Sequence, residues 1–264
     1  MEIRTLGTLA DQEYARVLFD EIWPTEAGTQ LPPNLLQALV HSGAYLSGAF
    51  YQNRCIGGAF GFPARGEDGH LHIHSHMAGV LTQYRNLNIG MQLKFHQRKW
   101  AIENGYDLIT WTFDPLVARN ANLNLTKLGV EVKDYFIDFY GTMSDSVNSG
   151  DATDRVMAYW WINSEKCHQA LESGRNAESS APISLSEKDN VPVITEVEVS
   201  ELKEIQVALP EDIVELRLTD LDLARRWRKA VRDALYPKMN SGWSITGFTK
   251  ERTYILERSN HENS

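Results

Sequence analysis

The chain is poor in cysteine and contains no long apolar run. It has 2 cysteines among its 264 residues, Cys55 and Cys167, and no CxxC pair. This spacing provides neither a disulfide framework nor a zinc ribbon, and it favours a reducing compartment. No apolar run reaches the about 18 residues that suggest a membrane-spanning helix, and the first residues lack the apolar stretch of a signal peptide. We therefore expect a cytoplasmic protein with no membrane partner.

Positive charge is also in short supply. The chain has 26 Lys and Arg against 35 Asp and Glu, which gives a net charge of -9. This acidic balance argues against a dedicated nucleic-acid surface, so no nucleic-acid partner is expected. The apolar fraction of 42% and the charged fraction of 23% are typical of a globular protein. The length suits one large domain or two small ones.

The order of the predicted elements indicates an α/β domain with a partly parallel sheet. Apolar periodicity predicts helices over 8–22, 32–40, 88–104 and 118–128, and strands over 45–51, 55–60, 70–81, 108–113 and 130–140. Residues 1–163 form the expected first domain. Residues 164–190 are rich in Ser, Glu and Asn and are interpreted as a linker or long loop. Residues 191–264 are predicted to form a smaller α+β unit.

The segment 80–93, VLTQYRNLNIGMQL, predicts a strand end, a tight polar turn and a helix start. A helix N-terminus presents unpaired N–H groups and a positive dipole end, which together attract anions. Asn86 and Asn88 tolerate the left-handed backbone better than most residues, and Gly90 has no side chain to obstruct an anion. The segment is therefore a candidate phosphate turn.

This segment resembles the acyl-CoA-binding motif of the GNAT superfamily of N-acyltransferases, Val-x-Pro-x-Tyr-Arg-Gly-x-Gly-Ile-Gly-x-x-Leu. The matching positions are Val80, Tyr84, Arg85, Ile89, Gly90 and Leu93. Asn86 and Asn88 stand where the family has glycine, and Thr82 stands for proline. The resemblance implies a GNAT-like mixed sheet flanked by helices, with acetyl-CoA or another acyl-CoA as co-substrate. The residues that it implies in binding are Gly79, Val80, Leu81, Arg85, Asn86, Leu87, Asn88, Ile89, Gly90, Met91 and Asn120.

The resemblance continues into the strand over 108–113 and the helix over 118–128. Asn120 takes the place of an asparagine that often lies near the pantetheine arm. Leu125, however, stands where many members carry the tyrosine that protonates the departing thiolate. Tyr135, Tyr140 or water would then supply that proton, or no acid is used.

Four histidines, His70, His72, His74 and His76, alternate with other residues along one predicted strand. Residues two apart on a strand share a face, so the imidazoles would lie side by side. An imidazole titrates near neutrality and can accept the proton that an attacking amine must lose. The resemblance places the His-x-His pair of serotonin-type arylalkylamine acetyltransferases on His74 and His76. These two are the expected catalytic bases, with His74 first.

The histidine pattern leaves other interpretations open. His-x-His on a strand is also a zinc geometry, to which His70 or His72 could add a ligand, although the sequence shows no third ligand from elsewhere and no metal is expected. Hydrogen-bonded structural imidazoles are the remaining interpretation, and His70 fits it best. His72 and Trp111 are expected to border the acceptor site. Asp114 would hold the substrate ammonium or, alternatively, cap the turn before Pro115.

The sequence thus predicts direct transfer of an acetyl or larger acyl group from CoA to the amine of a small molecule or amino acid. The alternatives are a non-catalytic acyl-CoA-binding or sensing module and a His-ligated metal hydrolase. A homodimer stays open. The arginines of the last helix are expected on its solvated face; they are Arg225, Arg226, Arg228 and Arg232.

Overall fold

The computed structural model describes residues 1–24, 28–141 and 150–258. The chain divides into two compact units, Met1–Trp111 and Thr112–Ser264. Within the described ranges, no helix combines the length and apolar character that crossing a membrane requires.

The first unit is a mostly antiparallel sheet with helices on both faces. Its elements are β1 (Glu2–Thr5), α1 (Leu9–Ile22), α2 (Pro33–His41), β2 (Tyr45–Tyr51), β3 (Arg54–Arg65), β4 (Leu71–Val80), a 3-10 turn (Thr82–Tyr84), α3 (Ile89–Glu103) and β5 (Leu108–Phe113), which reaches the unit's end. The strand order is β1-β2-β3-β4-β5. The first four strands are antiparallel to their neighbours, whereas β5 is parallel to β4.

Two adjacent glycines in β3 show that α1 and α3 cover opposite faces of this sheet. A Cβ on Gly58 would lie 2.9 Å from Leu18 of α1, whereas one on Gly57 would lie 3.1 Å from Ile89 of α3. Successive strand residues point to opposite faces, so one helix packs on each side. The missing side chains let both helices approach closely.

The second unit begins with a helical segment, α4 (Ala118–Ala121), which continues as a π-helix (Asn122–Leu128) and ends at Gly129 with φ 70°. Its other elements are β6 (Glu131–Phe136), β7 (Arg155–Trp161), α5 (Glu165–Ser173), β8 (Ile183–Lys188), β9 (Val191–Ile194), β10 (Glu204–Ala208), α6 (Ile213–Thr219), α7 (Leu221–Met239), β11 (Trp243–Phe248) and β12 (Thr253–Arg258). The strand order is β7-β6-β11-β12-β10-β8-β9. The pair β10–β8 is parallel and the others are antiparallel.

The expected fold class, a mixed and partly parallel sheet flanked by helices, is confirmed. The interpretation of 164–190 as a linker is wrong in detail, because α5 and β8 lie there. The helix α5 buries Cys167 and the strand β8 buries Leu185, and the other side chains of both are mostly polar. This polar composition is why the segment resembled a linker. Along the chain, the first compact unit ends at Trp111 and the second begins at Thr112, whereas the first domain was expected to end at residue 163.

Candidate functional site

The turn between β4 and α3 has a left-handed backbone at two asparagines. Asn86 has φ 71° and Asn88 has φ 57°. Among residues with a side chain, asparagine adopts this region at comparatively low cost because its short amide can bond locally. Both asparagines therefore provide the backbone geometry for which the resembling motif uses glycine.

The first turn of α3 is open to an anion. Asn88 caps the helix without a side-chain hydrogen bond, and no acidic residue lies in the first turn. A Cβ on Gly90 would meet nothing within 4 Å, so the space beside it is empty. The first N–H groups of a helix have no partners within it and carry a positive partial charge. The 15 residues of α3 thus present a dipole end that fits a phosphate group.

The strand β4 is irregular just before this turn. Phe60 of β3 lies opposite Met77, whereas the next residue, Gly61, lies opposite Ser75. His76 is therefore the extra residue of a β-bulge. Bulges commonly re-aim a side chain or interrupt pairing at a site.

The parallel pairing of β4 with β5 is short. In the described residues its register covers Ile73 with Ile109 and His74 with Thr110, whereas the pairing of β4 with β3 continues to Val80. The two parallel strands therefore part after these pairs. We call the edge of β4 over residues 75–80, beyond its pairing with β5, together with Trp111 of β5 the β4–β5 opening. It begins beside the bulge and follows β4 toward the asparagine turn.

His74 and His76, the expected catalytic bases, lie together around Phe62. Their ring centroids lie 5.5 Å and 5.9 Å from the Phe62 ring and 6.4 Å from each other. The His74 Nδ1 atom lies 3.1 Å from Thr110 Oγ1 on β5. If Nδ1 carries the hydrogen and donates it to this hydroxyl, Nε2 keeps a lone pair for an incoming proton.

The surroundings of both imidazoles favour the neutral form. The pKa of His74 is lowered to about 4, mainly by burial and to a smaller extent by the charges of His76, His72 and Lys94. Desolvation lowers the pKa of His76 as well, although its side chain is more exposed. A neutral imidazole is the form that accepts a proton, so both rings are in the state that a general base requires.

The other two histidines of the strand lie toward its start. His72 is half-buried, with Nδ1 3.3 Å from the His70 carbonyl oxygen, and His70 Nε2 lies 2.8 Å from Asp107 Oδ1. His70 is therefore held structurally, in agreement with the interpretation that fitted it best.

Lys94 is a buried cation that the sequence analysis missed. Its Nζ atom donates hydrogen bonds to Ser75 Oγ at 2.9 Å and to Gln97 Oε1 at 3.2 Å, and it lies 3.8 Å from the Trp111 ring centroid. Burial lowers its pKa to about 7. Its place between Leu93 and Gln97, on the side of α3 that packs inward, was the available indication.

Trp111 therefore contacts the lysine of α3. Its neighbour Thr110 contacts His74, and neighbouring strand residues point to opposite faces. Trp111 and His74 thus lie on different faces of the sheet, and the structure does not bring them together.

Asp114 is buried and fully engaged. Its Oδ1 atom accepts hydrogen bonds from the Leu116 N–H at 2.9 Å and from Arg228 at 3.0 Å, and its Oδ2 atom accepts from Arg217 and again from Arg228. Burial alone would raise the pKa of Asp114, but the two guanidinium groups hold it well below its usual range. The geometry is that of a cap within an ion-pair cluster.

The expectation that the arginines of α7 are all solvated is wrong. Arg228 is 3% exposed and also bonds Asp151, while Arg232 holds Asp154 through two hydrogen bonds of 2.7 Å. Arg225 and Arg226 are exposed as expected. The helix period placed all four on polar positions, and no local pattern indicated that three aspartates face them.

The residues considered for the thiolate proton differ in access. Leu125 is buried in the π-helix and cannot donate a proton. Tyr135 donates to Asp154 at 2.6 Å, and burial raises its pKa well above the ordinary value. Tyr140 is 39% exposed, with its hydroxyl 3.0 Å from Thr112 Oγ1. Of the two phenols, Tyr140 is the more accessible.

The remaining predicted positions are placed as follows. Leu87 is 60% exposed beside the turn, and the Leu81 N–H is already bonded to the Ile56 carbonyl at 2.9 Å. Asn120 is half-buried in α4, where its N–H bonds Val117. Over residues 1–24, 28–141 and 150–258, no group of three or more His, Cys, Asp or Glu is placed to hold a metal ion.

No protein-family model and no curated protein sequence matches this chain. Solved structures are similar to it. A ribosomal-protein-alanine N-acetyltransferase from Brucella melitensis has 19% identity and a TM-score of 0.47, over 60% of this chain and 98% of that one. A GNAT family acetyltransferase from Elizabethkingia anophelis with acetyl-CoA bound has 17% identity and a TM-score of 0.43, over 61% and 97%. An aminoglycoside acetyltransferase from an uncultured soil metagenomic sample has 18% identity and a TM-score of 0.39, over 43% and 77%.

Proposed function

We propose that this protein is an acyl-CoA-dependent N-acyltransferase. It moves an acetyl or larger acyl group directly to the amine of a small molecule or amino acid. The observation that carries the proposal is the left-handed turn at Asn86 and Asn88, which leads into the open N-terminus of α3 directly after β4. An anion nest at the end of a strand whose edge is open suits a ligand with a diphosphate and a long arm.

In this proposal the turn binds the CoA diphosphate. The main-chain N–H groups at the start of α3 bond the phosphate oxygens, and Arg85 adds positive charge. Gly90 leaves the space that the phosphates occupy. The pantetheine arm follows the β4–β5 opening past Gly79 and Val80. Asn120 is a further candidate for contact with the arm, from the resemblance alone.

The chemistry needs a base because an ammonium has no lone pair. His74 or His76 removes the proton from the acceptor amine, either directly or through a water molecule. The amine nitrogen then forms a bond to the acyl carbon, and the carbon–sulfur bond breaks. The departing thiolate takes a proton from water. Holding both reactants in place supplies much of the rate.

The test of CoA binding uses one position in the open turn. Replacing Gly90→Asp puts a carboxylate where the phosphates are proposed to lie, at a helix start that itself favours negative charge. We expect the variant to fold at least as stably as the wild type and to lose its thermal stabilisation by acetyl-CoA. Gly90→Ala is the matched control, because a methyl group there meets open space.

Turnover is tested on the wild-type protein with acetyl-CoA and a panel of amines. Release of free thiol that depends on an added amine identifies the enzyme and its acceptor class. Stabilisation by acetyl-CoA without thiol release would indicate the sensing module instead. If acetyl-CoA stabilises neither the wild type nor Gly90→Ala, the proposal is wrong.

A further inference from the structure

We propose that Lys94, in its protonated form, holds β4 and β5 together at the β4–β5 opening and binds the thioester end of the acyl-CoA arm. The inference rests on the proposed function, because it assigns a role to a group at the bottom of the same opening. It adds a residue that neither the histidine pattern nor the phosphate-turn motif contains.

The position of Lys94 relative to the two strands carries the argument. Ser75 follows the last β4 residue that is paired with β5, and Trp111 follows the last β5 residue that is paired with β4. The Lys94 Nζ atom contacts both, at 2.9 Å from Ser75 Oγ and 3.8 Å from the Trp111 ring centroid. One ammonium group therefore bridges the strands at the point where they part.

The positive charge of this ammonium is not paired with a carboxylate among the described residues. In the described part of the chain, no carboxylate lies within ion-pair distance of Nζ; its partners are the Ser75 hydroxyl, the Gln97 amide oxygen and the Trp111 ring. The titratable group that it affects from β4 is His74, whose pKa its charge lowers. The Gln97 Nε2 atom is buried without a hydrogen-bond partner among the described residues.

An ammonium has three N–H donors, and two of those on Lys94 are used. The remaining partner is the Trp111 ring, whose centroid lies 3.8 Å from Nζ and which is a weaker acceptor than an oxygen or sulfur that enters the opening. A thioester carbonyl oxygen, or the thiolate after transfer, is such an acceptor, and its partial or full negative charge offsets the buried positive charge. In the proposed function the nucleotide half of CoA binds at the asparagine turn, and its binding needs no contact with this lysine.

The experiment compares the affinities of two ligands for the wild type and for two lysine variants. The ligands are acetyl-CoA and the adenosine bisphosphate that corresponds to CoA without its pantetheine arm. Lys94→Met keeps the length and apolar stem of the side chain and removes the ammonium. Lys99→Met is the control, since Lys99 lies on the same helix with its side chain 77% exposed.

We expect Lys94→Met to bind acetyl-CoA roughly tenfold more weakly, the effect of losing one charge-assisted hydrogen bond, while its affinity for the adenosine bisphosphate stays the same. Lys99→Met should bind both ligands as the wild type does. The wild-type preference for acetyl-CoA over the bisphosphate should fall as the pH rises through 7, and Lys94→Met should not show this change.

Equal weakening for both ligands would mean that Lys94 only supports the fold, and it would overturn the inference. Unchanged binding of acetyl-CoA, or a preference that depends on pH in the same way in both proteins, would also overturn it. Failure of the proposed function is a different result, because the wild type would then bind neither ligand.

Discussion

The environment of His74 sets its pKa and its orientation, which are the two properties that a general base needs. Phe62 packs on the ring and Thr110 bonds Nδ1, so the imidazole is both desolvated and oriented. Desolvation makes the neutral form dominant at a lower pH than usual, at the expense of intrinsic basicity. His76 lies beside it with a similar direction of shift, so each ring limits the charge that the other can carry.

The pH dependence of the reaction tests the assignment of His74. Its pKa is lowered from 6.5 to about 4, so the neutral base is fully present above about pH 5 and is lost as the pH falls through 4. We expect the acidic limb of kcat/KM, measured across pH 3.5 to 7, to lie well below the ordinary histidine value. His74→Ala should lower kcat about a hundredfold or more.

His70→Ala is the control for this measurement, because the His70 imidazole bonds Asp107 and is not among the groups that shift the pKa of His74, so the limb should stay in place. A limb near pH 6.5 that persists in His74→Ala would assign the proton transfer to another group.

At the level of elements, the sequence predicted the β4–α3 connection well because its residues have strong local preferences. Asn86 and Asn88 favour the left-handed region, and Gly90 needs no packing partner, so local chemistry alone determines the turn. The β2–β3 hairpin was also predictable, and its turn has positive φ at Gln52 and Asn53.

Elements held by distant partners were not predictable. Lys94 looked like an ordinary helix lysine, since its partners Ser75 and Trp111 lie on two separate strands. The bulge at His76 depends on its register with β3, which no local pattern in the sequence specifies.

The ion-pair cluster on α7 gives a prediction about this element. Arg228 bonds Asp114 and Asp151, and all three side chains are nearly inaccessible to solvent. Arg228→Met keeps most of the packing but leaves two buried carboxylates with Arg217 as their shared partner. We expect a loss of about 3–5 kcal/mol in the free energy of unfolding, measured by urea denaturation at pH 7.

Arg226→Met on the same helix is the control, because Arg226 is exposed and should change stability by less than about 0.5 kcal/mol. Equal, small losses in both variants would show that the cluster contributes no more than surface charges do.

At the scale of the whole molecule, composition and element order determined the fold class but not the division of the chain. The alternation of strands and helices requires a layered α/β arrangement whatever the partners of each strand. The boundary between compact units falls at Trp111 and Thr112, inside β5, where a run of apolar residues gives no sign of a break. Pro, Gly and Ser content indicates loops, and for this reason the boundary was expected in the polar segment after residue 163.

The free energy of unfolding of the whole protein should depend on pH through the titration of Lys94. Its pKa falls from 10.5 to about 7 on folding, so between these values the unfolded chain holds a proton that the folded chain has released. Stability therefore rises with pH across this window, by at most about 1.4 kcal/mol per pH unit from this group. Lys94→Met should lack this contribution, so its urea midpoint should increase less than that of the wild type between pH 7 and pH 9.5.

Lys99→Met, whose lysine is exposed, should keep the wild-type slope. Parallel curves for the wild type and Lys94→Met would show that the lysine is solvated or paired in solution. The burial at the strand junction, on which its proposed role in ligand binding depends, would then be wrong. If the urea midpoint of Lys94→Met changes less with pH than that of the wild type while its affinity for acetyl-CoA is unchanged, the burial is confirmed and the role in binding is excluded. Desolvation of Nζ is necessary for that role, but it does not by itself bring a thioester within reach of the lysine.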